Sequence, residues 1–116
     1  MPGSAGYEYW AKITNVVDAD TFDADVDLGF YVTVHMRFRL NAYDAPETWR
    51  PVNEAERTHG EAAKAHAVNL LLGNKMKVRT YKPGKYGRWT CDVILPTGKD
   101  YGEHMIESGF AKRENY

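Results

Sequence analysis

The stretch Thr21-Phe22-Asp23-Ala24-Asp25-Val26-Asp27-Leu28-Gly29-Phe30-Tyr31-Val32-Thr33-Val34-His35-Met36-Arg37-Phe38-Arg39-Leu40 decides the fold. Phe22, Ala24, Val26 and Leu28 alternate with Asp23, Asp25 and Asp27. A period of two describes a strand with one dry and one wet face. Leu28-Gly29-Phe30 predicts a hairpin turn. From Tyr31 to Leu40 the alternation resumes: Val32, Val34, Met36, Phe38 and Leu40 share one face, and Tyr31, Thr33, His35, Arg37 and Arg39 share the other.

Upstream, residues from about Tyr7 to Val17 are rich in β-branched and aromatic types and read as a preceding strand. Asp18-Ala19-Asp20-Thr21 then turns the chain. Three strands in meander order follow from this reading. Downstream, Asn41 to Glu56 reads as a loop broken by Pro46 and Pro51. Thr58-x-x-Glu61 has the form of a capping box and predicts the start of a helix there. Ala63, Ala67, Leu70 and Leu71 recur at helical spacing as its buried stripe, and Gly73 is placed to end it. Lys75 to Tyr81 predicts a fourth strand, Pro83 to Gly87 a turn, and Arg88 to Leu95 a fifth strand. After a turn at Thr97-Gly98, Glu103 to Ser108 predicts a short helix stopped by Gly109.

The expected fold is mainly β (α+β). It is a five-stranded barrel of the OB type, with a capping helix between strands three and four and a short C-terminal helix. Residues 7–116 form one domain, and residues 1–6 are expected to be a flexible tail. A chain of 116 residues, 43% of them hydrophobic, suits one modest core. Any site must be built on that core's surface. The single cysteine, Cys91, excludes an internal disulfide and reads as a small buried residue. The opening Met-Pro-Gly-Ser-Ala-Gly has neither the basic nor the apolar part of a signal peptide. Location is left open between the cytoplasm and export with a leader removed. No apolar run approaches a membrane span.

The formal net charge is −1. A protein coating duplex DNA by bulk charge would be basic, so nucleic acid would have to be met through a local patch. Four clusters carry the chemistry. Asp18-Ala19-Asp20-Thr21 can offer oxygen to a hard cation, or simply close an Asx-turn. Asp44-Ala45-Pro46-Glu47-Thr48 places two acids in a stiff loop directly after an apolar strand. A carboxylate beside a cation is what water-driven phosphodiester cleavage needs, though the same residues can start a helix. Arg37 and Arg39 lie on the wet face of strand three, either as solvated trim or, for Arg39, as a two-pronged grip on phosphate. Lys85-Tyr86-Gly87-Arg88 is an ordinary hairpin turn or a contact for phosphate and base. His35, His59, His66 and His104 lack the i,i+4 pairing of helical zinc sites, and Trp10, Trp49 and Trp89 read as packing residues.

Together these clusters resemble the staphylococcal-nuclease-like (thermonuclease) family. The residues that carry the resemblance are Val17-Asp18-Ala19-Asp20-Thr21, Phe38-Arg39-Leu40, Asp44-Ala45-Pro46-Glu47-Thr48, Gly60-Glu61-Ala62-Ala63, Lys85-Tyr86-Gly87-Arg88 and Gly109-Phe110-Ala111-Lys112. They occur in order from about Tyr9 to Lys112. The resemblance implies a calcium-dependent endo- and exonuclease acting on DNA and RNA; a preference for single strands and a monomer are expected beside it. It implies calcium held by Asp20, Asp44 and the carbonyl of Ala45, with Asp18 near the metal's waters. Glu47 would activate the attacking water, Arg39 and Arg88 would hold the phosphate, and Lys85 and Tyr86 would contact the nucleotide. Ala45 stands where the family usually has threonine. The competing expectation is a non-catalytic OB module that binds single-stranded nucleic acid. Acids gathered in one place would repel phosphate unless a cation were bound, which favours the enzyme.

Overall fold

In the computed structural model the described residues are 5–41, 43–44, 54–81 and 89–113, with the backbone alone for Ala5, Gly6, Asp44, Lys112 and Arg113. The barrel strands are β1 (Ala5–Asp18), β2 (Thr21–Asp27), β3 (Thr33–Leu40), β5 (Lys75–Tyr81) and β6 (Thr90–Ile94), closed in the order β1-β2-β3-β6-β5. A separate pair joins β4 (Tyr43–Asp44) to β7 (Lys112–Arg113). Helix α1 (Glu54–Leu71) lies between β4 and β5, and α2 (Tyr101–Glu107) between β6 and β7. All neighbours in the barrel are antiparallel except β3 and β6, which run parallel through Arg39↔Thr90 and Leu40↔Cys91. This is the OB barrel expected from the alternating stretch.

The register shows why the alternation matters. Phe22 faces Phe38, Ala24 faces Met36 and Val26 faces Val34, all on the inner face. Phe22 and Phe38 are fully buried and their rings lie 6.1 Å apart. Asp23, Asp25 and Asp27 turn outward, where Asp23 accepts from Arg37 and Asp25 pairs with His35. The Arg37 guanidinium holds the Asp23 carboxyl below its ordinary range. Burying each large apolar side chain contributes about 1.5–3 kcal/mol, so sliding β2 by one residue would forfeit several such terms at once.

Helix α1 lays Gly60, Ala63, Ala67 and Leu71 on the barrel, and Gly73 continues from it with φ 78°. The Gly73 N–H donates to the Ile13 carbonyl, and the Ile13 N–H donates to the Asn74 carbonyl. These bonds tie the end of α1 to β1. The helix starts at Glu54, four residues before the expected capping box, so Thr58 lies inside it. Glu54 and Glu56 in the first turn suit the positive end of the helix dipole, a signal the Thr58 pattern concealed. Helix α2 also starts early, at Tyr101 rather than Glu103. Its N-cap is Asp100, whose carboxylate accepts from the Glu103 N–H at 3.0 Å.

Two other expectations shift. Tyr31 is not a strand residue: it sits in the β2–β3 turn at φ 62°. Trp10 and Trp89 are about half exposed rather than packed away, and the Lys77 ammonium stands 5.5 Å from the Trp10 ring centroid. Cys91 is fully buried as expected, and burial pushes its thiol well above the ordinary range. Among the described residues no helix is long and apolar enough to cross a membrane.

Candidate functional site

Asp20 is the only charged residue buried in the described part of the chain, at 7% exposure. It occupies the tight turn between β1 and β2. Its carbonyl accepts from the Leu40 N–H at 2.8 Å, which fixes the turn against the end of β3. Its Oδ1 accepts from the Thr21 hydroxyl at 3.1 Å. Its Oδ2 lies 3.7 Å from an Arg39 guanidinium nitrogen. At that separation the pair is electrostatic rather than a hydrogen bond.

Arg39 reaches this position because β3 carries it opposite Thr21 on one side and opposite Thr90 on the other. Its N–H donates to the Trp89 carbonyl at 3.0 Å. The start of β6, where the chain emerges from the Lys85–Arg88 stretch, is therefore pinned to the strand that bears Arg39. Asp18, half-buried at the end of β1, stands across the turn from Thr21. The structure thus brings Asp18, Asp20 and Arg39 to one rim of the barrel.

The second acidic loop arrives through β4. Asp44 pairs with Lys112 and Tyr43 with Arg113. The Tyr43 hydroxyl donates to Glu103 Oε1 at 3.1 Å. Its ring covers Gly102, where an added Cβ would stand 2.5 Å from ring carbons. Only glycine admits the ring at that position.

Helix α2 also reaches the first loop. Tyr101 is fully buried, and its hydroxyl donates to the Ala19 carbonyl at 2.7 Å, one residue before Asp20. Burial, with a smaller contribution from the nearby Asp20 charge, raises the Tyr101 pKa, so the phenol stays a donor across the physiological range. Three successive residues of α2, Tyr101, Gly102 and Glu103, therefore fasten the residues that precede both Asp20 and Asp44. The sequence reading missed all three. The Asp100-x-x-Glu103 pattern could have located the start of the helix. Nothing local pairs Tyr101 with Ala19, 82 positions away.

Ala45, Glu47, Lys85, Tyr86 and Arg88 lie outside the described residues, as does the side chain of Asp44. Among the described residues no group of three or more His, Cys, Asp or Glu gathers as a metal site. The donor chemistry of the expected set suits a hard cation. Carboxylates and a carbonyl are the oxygen ligands calcium takes, and a largely buried carboxylate such as Asp20 is the kind of anion a divalent ion compensates.

Compared with known families, residues 37–116 match the staphylococcal nuclease homologue family. The match covers more than half of the chain and takes in the end of β3, β4, both helices, β5, β6 and β7, while β1 and β2 lie before it. The protein belongs to the staphylococcal nuclease homologue family, and its fold and membership place it among nuclease-like, nucleic-acid-related OB proteins. No curated protein matches the chain.

Proposed function

We propose that this chain is a calcium-dependent phosphodiesterase that hydrolyses DNA or RNA, preferring single strands. The observation that carries the proposal is the buried Asp20 carboxylate beside Arg39, on a turn that the same short helix braces together with the Asp44 strand. A binding module has little use for a buried acid at that place.

In this reading Asp20, Asp44 and the Ala45 carbonyl would hold a calcium ion, with Asp18 as a further acid beside it. A calcium ion bound there supplies positive charge to the phosphate oxygens. Glu47 accepts a proton from water as the water oxygen attacks phosphorus. Arg39 and Arg88 donate N–H groups to the phosphoryl oxygens, and their donation strengthens as negative charge builds there. The bond from phosphorus to the 5′ oxygen breaks, and that oxygen takes a proton from solvent. The products are a 3′-phosphate and a 5′-hydroxyl. Lys85 and Tyr86 position the nucleotide, the first by charge and the second by its ring.

The test is a gel of single-stranded DNA and RNA incubated with the protein, in calcium and in a chelator. Shortening that requires calcium supports the enzyme. A retarded band with no shortening in either lane overturns it in favour of a binding module.

A further inference from the structure

The two helices meet through a pair of imidazoles outside the site. His66 on α1 and His104 on α2 bring their Nε2 atoms to 2.9 Å, which is hydrogen-bond distance. Their rings lie 10° from parallel, with centroids 5.2 Å apart. A neutral imidazole has one N–H and one bare ring nitrogen, so one Nε2 donates here and the other accepts. The contact therefore requires at least one of the two rings to be neutral.

The pair has three protonation states. With both rings neutral the bond stands. With one proton added, the charged ring donates to the neutral one, and a charge-assisted bond is stronger. A second proton sets N–H against N–H and charge against charge, so the bond is lost. The two rings thus titrate as a unit, and only the second step breaks the contact. Burial, and then the His104 charge, hold the His66 pKa below its ordinary value, so His66 takes the second proton. Among the described residues, the charged groups around the pair come from α2 and the chain before it. Glu107 feels the His104 charge and is paired with Lys99, and Glu103, next to His104, accepts from Tyr43. On α1 the residues three and four positions from His66 are Ala62, Ala63, Asn69 and Leu70, none of them charged. After α2, the Phe110 ring lies 5.3 Å from the His66 ring.

We propose that His66 and His104 form an acid-operated latch between α1 and α2, closed until both rings are protonated and opened by the second proton. The latch holds whether or not the chain cuts nucleic acid. It acts on more than its own helix, because α2 also carries the Tyr101 hydroxyl to Ala19 and Glu103 to Tyr43. Tyr101 and Met105 stay rooted in the core, so acid loosens α2 without releasing it. His59 supplies the contrast. Its Nε2 donates to the Gly109 carbonyl at 2.8 Å, and a carbonyl accepts from a neutral or a charged ring alike. The sign follows from linkage. A histidine held below its ordinary value in the fold takes its proton more readily when unfolded. Stability from the latch is whole above about pH 6.5, the unfolded value, and is lost as pH falls from there through the lowered His66 value.

Two NMR measurements on the whole chain test this: titration of the imidazole C–H signals, and amide exchange of α2 corrected for the intrinsic rate at each pH. In the wild type, His66 and His104 should titrate in two coupled steps, with His66 in the second and below its ordinary value. The Ser108 and Phe110 N–H groups, bonded to the His104 and Met105 carbonyls, should lose protection on the order of tenfold between about pH 7.5 and about pH 5. His104→Gln puts in an amide that donates to a neutral His66 and accepts from a charged one. That variant should return His66 toward its ordinary value and keep α2 protection level over the same range. Two histidines that titrate independently, with His66 unmoved by His104→Gln, overturn the proposal. So does α2 protection that ignores pH in the wild type, or that falls equally in the variant. If the variant does not fold, the wild-type titration decides alone: coupled steps uphold the latch and independent ones refute it.

Discussion

Removing one oxygen atom, in Tyr101→Phe, separates the brace on the Asp20 turn from everything else in the site. The ring stays buried and its packing is unchanged. What is lost is the 2.7 Å hydrogen bond to the Ala19 carbonyl, which then faces an apolar edge. A buried hydrogen bond contributes about 0.5–1.5 kcal/mol net, and stranding its acceptor raises the cost to about 1–3 kcal/mol. We expect a loss of about 1–2 kcal/mol in urea unfolding at pH 7, which for a domain of this size lowers Tm by roughly 4–12 °C. A second effect follows from position. The carbonyl sits one residue before Asp20, so freeing it lets the carboxylate wander from its place near Arg39. A loss of about 1.4 kcal/mol in calcium binding is tenfold. The calcium concentration for half-maximal cleavage should rise several-fold, while turnover at saturating calcium stays within about threefold of wild type. Calorimetric titration with calcium and a cleavage assay across calcium concentrations read the two halves separately. An unchanged calcium requirement in a clearly destabilised variant would refute the argument that α2 sets the geometry of the Asp20 turn.

Other outcomes follow from the same geometry. Glu47→Gln should lower turnover at least about a hundredfold with little change in the unfolding midpoint, as loss of a general base does. Gly102→Ala drives a methyl into the Tyr43 ring and should cost about 1–3 kcal/mol in urea unfolding, the usual penalty of overpacking. Asp92 is raised by burial, and the Tyr81 hydroxyl donates to it. A carboxyl whose folded pKa is raised withdraws stability as pH climbs through that value, so Asp92→Asn should raise the unfolding midpoint at pH 7 and show no gain in acid, below the carboxylate range. Burial raises Tyr101, and burial with the Asp92 hydrogen bond pushes Tyr81 up to about 12. Both phenols ionise more readily unfolded, near pH 10, so stability should fall from about pH 10 upward, less steeply in Tyr101→Phe.

The barrel was legible because its defining pattern is local. Phe22 to Leu28 and Val32 to Leu40 alternate on either side of one turn, and Phe22 facing Phe38 realises that pattern as a buried pair. The stripe of Ala63, Ala67 and Leu71 was equally plain, since a helix face repeats within a few residues. Boundaries read less well where two signals competed. The Thr58 pattern looked like a helix start, yet the acidic turn at Glu54 governs. The β4–β7 pair could not be read at all, because two-residue strands have no period and their partners lie far apart in sequence. Tyr101, Gly102 and Glu103 escaped for the same reason. Their partners, Ala19 and Tyr43, are chosen by the folded barrel rather than by spacing. Asp20 and Arg39 were legible as chemistry. Their approach to 3.7 Å emerges only when β2 and β3 close beside each other. The histidines were read as lacking a metal spacing, but His66 and His104 meet across the two helices at 2.9 Å between ring nitrogens, a pairing invisible to a local rule.

A crystal soaked with calcium and a deoxynucleoside 3′,5′-bisphosphate would probe the centre of this account in a single experiment. One anomalous peak should lie about 2.3–2.6 Å from carboxylate oxygens of both Asp20 and Asp44, with a phosphate between that ion and Arg39. An ion seated elsewhere, or the two carboxylates directed away from each other, would contradict it.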